Sequence, residues 1–281
     1  MISVISTLTM LEGLSFLGIS SCGLSNVFKQ RLMCSTMKDF RLKGFQQKVC
    51  LIDRAILIDD SLIISDVHIG FEEALNREGF LVPRTLFSQI LEDTEKVLSA
   101  TRPRRVIVNG DFKHEFGRVS DQEWKDTFKL TELLSRNSAE LIFIKGNHDK
   151  ILGPLAEKFD VEVKEHMMIG NIYITHGDTM HDNDDFRKAS TIIIGHEHPC
   201  VTVRDSHKSE RFKAFLVGKY KDKNLIVTPS FNPVEGSDVT KEKLMSPFLS
   251  KNPHLKEFKV YITADSIYDF GELGNFMQNR H

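Results

Sequence analysis

The chain has 281 residues and a mass of 32.1 kDa, and 41% of its residues are hydrophobic, enough to bury a sizeable core as one large domain or two small ones. A formal net charge of -2 and a pI near 6.6 exclude a global electrostatic pull toward nucleic acid or anionic membrane, so any polyanion must be met by a local patch or by metal ions. The four cysteines, Cys22, Cys34, Cys50 and Cys200, form no close pair of the zinc-ribbon or redox kind and are few for a disulfide framework, which fits a reducing, cytoplasmic setting.

Residues Met1 to Gly23 are apolar, yet they carry Glu12 and many Ser, Thr and Gly. They fall short of the roughly 20 predominantly apolar residues of a membrane helix, and they lack the basic start of a secretory signal. The Ser-rich stretch up to about Thr36, with Lys29 and Arg31, faintly resembles an organelle transit peptide; the plainer reading is translation from Met33 or Met37. The expected organisation is a disordered or artefactual extension over 1–45, a single domain over 46–275, and a tail over 276–281.

Val49 to Ile58 reads as two short strands, or one strand bent at Asp53 and Arg54, at the edge of a sheet. The apolar run of Leu62, Ile63 and Ile64 follows and stops abruptly at Asp66 and His68, before Gly70. Strand alternation predicts that these two side chains share one side of the chain. Phe71 to Glu78 is helix-like, Gly79 breaks it, and Pro83 marks the start of a helix on which Leu86, Ile90, Leu91, Val97 and Leu98 recur at core spacing. Arg105 to Asn109 is a second apolar run, ending in Gly110 and Asp111. Ser120 with Glu123 predicts a capping box for a helix carrying Trp124 and Phe128 one turn apart on its core side.

Three further runs repeat the pattern: Leu141 to Lys145 ends in Gly146-Asn147-His148-Asp149, Ile172 to Thr175 in His176-Gly177-Asp178, and Thr191 to Ile194 in Gly195-His196-Glu197-His198. In open α/β sheets ligands sit outside the carboxyl ends of the strands, where all five runs deliver polar groups. Glycine precedes Asp111, Asn147 and His196 because a turn against a packed cluster leaves little room for a Cβ. Beyond Pro199 the signals turn antiparallel, over Phe212 to Tyr220, Leu225 to Thr228 and Phe258 to Ile262, and predict a second sheet packed on the first. Ser237 to Asn252 reads as a polar loop around Pro247, and Leu273 to His281 as a fraying end.

The candidate metal ligands are Asp66, His68, Asp111, Asn147, His176, His196 and His198, all oxygen or imidazole donors. Seven donors are too many for one closed tetrahedral zinc and suit two ions, with a carboxylate such as Asp111 as the natural bridge. Manganese leads, with iron and zinc as alternatives that the donor set equally admits. Such a pair hydrolyses phosphate esters but offers no proton to the leaving group; His148, beside Asn147, is the candidate donor. His114 either positions the scissile phosphate or His148, or caps a turn. The other histidines, and the basic stretch of Lys208, Arg211, Lys213, Lys219, Lys221 and Lys223, read as surface.

In this order the motifs Asp66-Val67-His68, Gly110-Asp111, Gly146-Asn147-His148-Asp149, His176 and Gly195-His196-Glu197-His198 resemble the calcineurin-like metallophosphoesterases, and Pro229-Ser230-Phe231-Asn232-Pro233 extends the likeness. The resemblance implies an α/β fold, a four-layer αββα sandwich of two mixed sheets. It implies one ion at Asp66, His68, Asp111 and His198 and another at Asp111, Asn147, His176 and His196. Gly110-Asp111-Phe112-Lys113-His114 lacks the arginine of the protein phosphatases and is similar to the nuclease subunits of recombination-repair complexes and their small, mostly archaeal relatives. This implies a phosphodiesterase, a nuclease among the options, with phosphomonoester hydrolysis or a non-catalytic binding module as alternatives. The partners implied are a phosphate ester and optionally nucleic acid, without a membrane and without the partner ATPase, since only about 80 residues follow His198.

Overall fold

Residues 47–80, 82, 85–114, 120–149, 152–205, 208–234 and 236–278 are described by the computed structural model. The first half is β1 (Val49–Ile52), β2 (Ala55–Ile58), β3 (Ser61–Ile64), α1 (Phe71–Arg77), α2 (Leu86–Thr101), β4 (Arg105–Asn109), α3 (Asp121–Arg136), β5 (Glu140–Ile144), α4 (Gly153–Phe159) and β6 (Glu162–Lys164). Then come β7 (His166–Ile169), β8 (Ile172–Thr175), α5 (Asp184–Lys188), β9 (Thr191–Ile194), β10 (Pro199–Asp205), β11 (Lys208–Tyr220) and β12 (Lys223–Val227). β13 (Ser237–Asp238), β14 (Lys259–Thr263), β15 (Ile267–Glu272) and α6 (Leu273–Gln278) complete the order.

Two mixed sheets result. The first is six-stranded, β1-β2-β3-β4-β5-β6, antiparallel through β3 and parallel from there on. The second has nine strands, with β13-β10-β11-β12-β9-β8-β7 in order and β14 and β15 attached through β11.

Alternation along the strands decides the layers, because both faces of each central strand are apolar. In the first sheet Ile63, Ile107 and Ile142 point one way, where they meet Ile172, Ile174, Ile193 and Ile226 of the second in one buried cluster. Their neighbours Leu62, Val106, Val108 and Phe143 point the other way, onto Ile90 and Leu98 of α2, Leu130 of α3 and Leu155 of α4. On the far side of the second sheet, Ile192, Ile194, Leu225 and Val227 pack with Phe186 of α5 and Leu273 of α6. These are the four layers, αββα, that the motifs imply. β-branched isoleucine suits the middle layer, where flat pleated faces interlock without helices between them.

Several expectations need correction. The second sheet does not begin after Pro199: β7, β8 and β9 already belong to it, with β9 parallel to β12. An apolar run reads the same in either sheet, and only its pairing partner distinguishes them. The Ser237 to Asn252 loop is not merely polar, since Ser246, Phe248 and Leu249 are buried. Nor does the chain fray from Leu273, which is fully buried at the start of α6 with Phe276 and Met277 packed behind it. The capping box is one-sided: Ser120 accepts the Glu123 amide, but the Glu123 side chain turns inward. Pro83 and residues 1–46 and 279–281 lie outside the described residues. Among the described residues no helix is long and apolar enough to cross a membrane.

Ile193 is 0% exposed at the centre of the inter-sheet layer. Ile193→Ala is expected to destabilise the fold by about 2–5 kcal/mol, read as a lower urea midpoint. An unchanged midpoint would contradict the layering.

Candidate metal centre

Each of the five apolar strands β3, β4, β5, β8 and β9 is fully buried up to its last residues and delivers its polar group just beyond the strand end. The strand ends come from both sheets, and the side chains meet in two adjoining groups. Asp66, His68, Asp111 and His198 form one, and Asp111, His176 and His196 the other; within each group the candidate ligand atoms lie within 4.8 Å of one another. Asn147 joins the second, its Oδ1 3.1 Å from His176 Nε2. All seven sequence-predicted ligands are therefore gathered at one place.

They do not get there by strand alternation. β3 ends at Ile64, and Asp66 and His68 adopt left-handed backbone, with φ of 57° and 48°. Asp111, His196 and His198 do the same, at 48°, 62° and 49°. Each such non-glycine residue costs on the order of 1 kcal/mol or more and persists only where its surroundings over-determine it. Here the β3–β4 pairing continues past the strand ends, with Asp66, His68 and Ile69 amides donating to the carbonyls of Gly110, Asp111 and Phe112. From the other side the Pro229 to Pro233 turn grips the same segment. Ser230 Oγ donates to the Asp66 carbonyl at 2.7 Å, and Asn232 Nδ2 to that of Val67 at 3.1 Å. Buried Arg54 holds the turn through the Phe231 carbonyl at 2.9 Å.

The glycines act as expected. A Cβ on Gly110 would overlap the His176 ring, one on Gly146 the Asp111 carboxylate, and one on Gly195 that of Asp66. Gly146 and Gly195 are not in left-handed backbone, so space alone requires glycine there.

The donor spacing fits cations. His68 Nε2 lies 3.2 Å from His198 Nε2, which is 3.2 Å from Asp66 Oδ1. In the second group His176 Nε2 is 3.1 Å from Asp111 Oδ2 and 3.2 Å from His196 Nδ1. Around an ion with bonds near 2.1 Å, adjacent ligand atoms stand about 3.0–3.5 Å apart. Facing imidazole nitrogens at this separation repel unless a proton or a cation lies between them. His176 is oriented for the role: its Nδ1–H points to the Asn109 carbonyl at 3.4 Å, which turns Nε2 toward Asp111 and Asn147.

Without cations, protons do part of this work. Burial alone would lower the basicity of His176, but the bond to Asp111 and the charges of Asp66 and Asp111 outweigh it and push its pKa up to about 9. Burial would raise Asp111, but the bond from His176 and its charge hold the carboxyl well below the usual range. Burial, and then the charge of His198, push His68 well below the ordinary value; burial, and then His148, take His114 down to about 4. His196 is also lowered, by burial and then His176.

His114 and His148 lie at the edge of the first group. The Nδ1–H of His148 donates to the His114 carbonyl, the two rings stack at 5.5 Å, and His114 Nδ1 is 3.3 Å from His68 Nδ1. Of the roles open to His114, the structure places it against His148, and the contact runs through its carbonyl as well as its ring. The His148 amide also donates to Asp111 Oδ1 at 2.9 Å. His181 sits apart, near His166.

Four further residues support the site in roles that the sequence did not assign to them. Buried Asp149 accepts from the amides of Phe112, Lys113 and Gly146, joining the second and third motifs; burial, with the Asp111 charge, raises its pKa to about 6. Glu197, between two ligand candidates, accepts from the amides of Met245 and Ser246. Lys113 and Glu123, each 1% exposed at the side chain, face one another at 3.8 Å, with the Lys113 ammonium 5.2 Å from the Trp124 ring. Trp124 packs against the core as expected, but it also faces this cation. A buried pair is invisible in sequence because lysine and glutamate usually mark the surface.

The calcineurin-like phosphoesterase profile matches residues 61–266. No curated protein sequence matches. Among solved structures, the crystal structure of Pseudomonas putida nuclease MPE is similar at 19% identity and a TM-score of 0.57, covering 79% of this chain and 95% of that one. A protein of unknown function from Aquifex aeolicus shares 23% identity at a TM-score of 0.34, over 49% of this chain and 78% of its own.

Two outcomes check the site. Gly146→Ala should displace the Asp111 carboxylate and weaken manganese binding at least about tenfold by calorimetry, the size typical of disturbing a ligand's support; unaltered affinity would show that the carboxylate has room. In chelated protein, the lowered pKa values of His68 and His114 leave the unfolded chain binding more protons below about pH 6.5, so stability falls as pH drops toward 4. The raised value of His176 gives stability that is full below that pH and is lost as pH rises through about 9. A flat profile of urea midpoint against pH would contradict both assignments.

Proposed function

The chain belongs to the calcineurin-like phosphoesterase family, and from that premise we propose that it hydrolyses phosphodiesters with two divalent metal ions. One ion would be held by Asp66, His68, Asp111 and His198, the other by Asp111, Asn147, His176 and His196. The observation that carries this reading is the place of Asp111 in both groups, with Oδ2 3.8 Å from His68 Nε2 and 3.1 Å from His176 Nε2. When bound, such ions supply charge neutralisation and a water of lowered pKa. Manganese is the first choice, since oxygen and imidazole donors without thiolate suit it; iron and zinc are the alternatives.

His148 is the proton donor to the departing alkoxide. Its Nδ1–H is committed to the His114 carbonyl, so the ring is fixed in orientation and Nε2 is the atom that delivers the proton. His114 is a positioning residue on this reading. The narrower reading is a nuclease of the branch that includes the recombination-repair subunits and small, mostly archaeal proteins. It is supported by histidine at 114 three residues after Asp111, and the Pseudomonas putida protein of the same fold is itself a nuclease. Phosphomonoester hydrolysis is the alternative. The few, widely spaced cysteines support a cytoplasmic setting.

Asp111→Asn should abolish manganese-dependent hydrolysis of a chromogenic diester, while the matching monoester and single- and double-stranded DNA define the substrate class. No turnover of any of them by the parent chain would end the enzymatic reading. His148→Ala should slow diesters with alkyl leaving groups by about 10²–10⁴-fold and those with good aryl leaving groups far less. Equal losses on both would remove His148 as the proton donor.

A further inference from the structure

A concavity lies beside two segments that are linked to the candidate ligands, one at Asp178 and one at Met245. It has a volume of about 620 Å³ and is walled by Asp178, Met180, Tyr220, Lys221, Met245 and Lys251, among others, within the roughly 300–1,000 Å³ range of small-molecule pockets. One covalent and one hydrogen-bonded route tie it to the ligands. Asp178, which lines the cavity, follows His176 by two residues. Met245 and Ser246 are held by the carboxylate of Glu197, between His196 and His198, and Ser246 Oγ donates to the Gly177 carbonyl at 2.8 Å. The far wall thus keeps register with the strand ends that carry the candidate ligands.

Its lining is chemically mixed in a particular way. Among the described residues the exposed large apolar side chains are Phe80, Met180, Val234 and Met245, and two of the four line this cavity, at 44% and 67% exposure. Thioethers are polarisable and adapt to flat rings. Tyr220 adds an aromatic ring to the same lining, its hydroxyl 3.3 Å from Met180 Sδ and its ring braced edge-on by Phe248. Asp178 offers a hydrogen-bond acceptor in the same lining. Lys219 and Lys223 of the basic stretch are engaged with Asn224 and with the Arg187 and Ala189 carbonyls, and Lys221 lies at the cavity with its ammonium 5.5 Å from the Tyr220 ring centroid, on one face of that ring.

We infer that this cavity receives the nucleobase of a phosphate ester whose phosphate lies at the metal centre. The base stacks against Tyr220 between Met180 and Met245, its exocyclic amine donates to Asp178, and Lys221 and Lys251 meet further phosphate. A purely apolar ligand is disfavoured by the acid and the two lysines, and a bare sugar phosphate would leave the thioethers and the ring uncovered. This inference rests on the phosphoesterase reading above but concerns binding.

The test is calorimetric titration of the manganese-loaded full chain with adenosine 5′-monophosphate and with ribose 5-phosphate, which differ only by the base. The nucleotide is expected to bind about tenfold more tightly, as stacking of one base allows. Met245→Asp, at an exposed position, and Tyr220→Ala should each erase that advantage and leave ribose 5-phosphate binding unchanged. Equal affinity of the two ligands, or an advantage that both variants keep, would overturn the proposal. A base advantage in a chain that hydrolyses no phosphate ester would uphold the subsite and remove the enzymatic reading, so the two failures are distinct. Tighter binding of a short oligodeoxyadenylate than of the mononucleotide would assign the base to a strand; equal binding would assign it to a free nucleotide.

Discussion

Asp66 and Asp111 are two carboxylates with 0% and 1% exposure at the edge where both sheets end, and keeping them charged there is the constraint on which the rest depends. Burying even one unpaired carboxylate costs several kcal/mol. The chain answers with donors rather than with solvent: the His196 amide on Asp66, the His148 amide on Asp111, and four imidazoles around them. Because the His196 amide lies beyond β9 and Asp66 beyond β3, the compensation also ties one sheet to the other. The same arrangement that tolerates buried carboxylates is a ready cation site, which is why stability and chemistry cannot be assigned to separate residues here.

Gathering side chains from five strand ends requires sharp turns, and the chain makes them with left-handed Asp and His where glycine would be easier. These conformations are imposed by neighbours. The β3–β4 pairing runs on past its strands, the Ser230 and Asn232 side chains hold the carbonyls below, and Arg54 holds the turn that holds them. Strain placed this way fixes the donors before anything binds, the usual physical meaning of preorganisation.

The charged residues divide by partner. Lys213 donates to the Ser230 carbonyl and Arg211 pairs with Glu242, so much of the basic stretch braces local structure. Lys113 and Glu123 lie under the loop that leads to His114, and a Cβ on Gly70 would press on the Glu123 carboxyl. Such a pair contributes little net stability but holds its loop in one arrangement.

Much was legible from the amino-acid sequence alone. Apolar runs ending in Gly-Asp, Gly-Asn-His or Gly-His-x-His carry their own chemistry; the seven candidate donors and the need for glycine at 146 and 195 followed from residue type and order, and the αββα class from the family resemblance those motifs carry. Those features are local: side-chain volume, donor atoms and branching travel with the residue. What only the tertiary structure decided were the partnerships between distant segments. Strand period brought Asp66 and His68 to one side for the wrong reason, since the strand ends at Ile64 and left-handed turns replace the pleat. β7 to β9 joined the second sheet because pairing depends on which edge is vacant, and an isoleucine run does not record that. The bracing roles of Asp149, Glu197 and Ser230, each inside a recognised motif, and the Lys113–Glu123 pairing went unread for the same physical reason. A buried polar side chain is defined by the backbone groups folded against it, and those come from elsewhere in the chain.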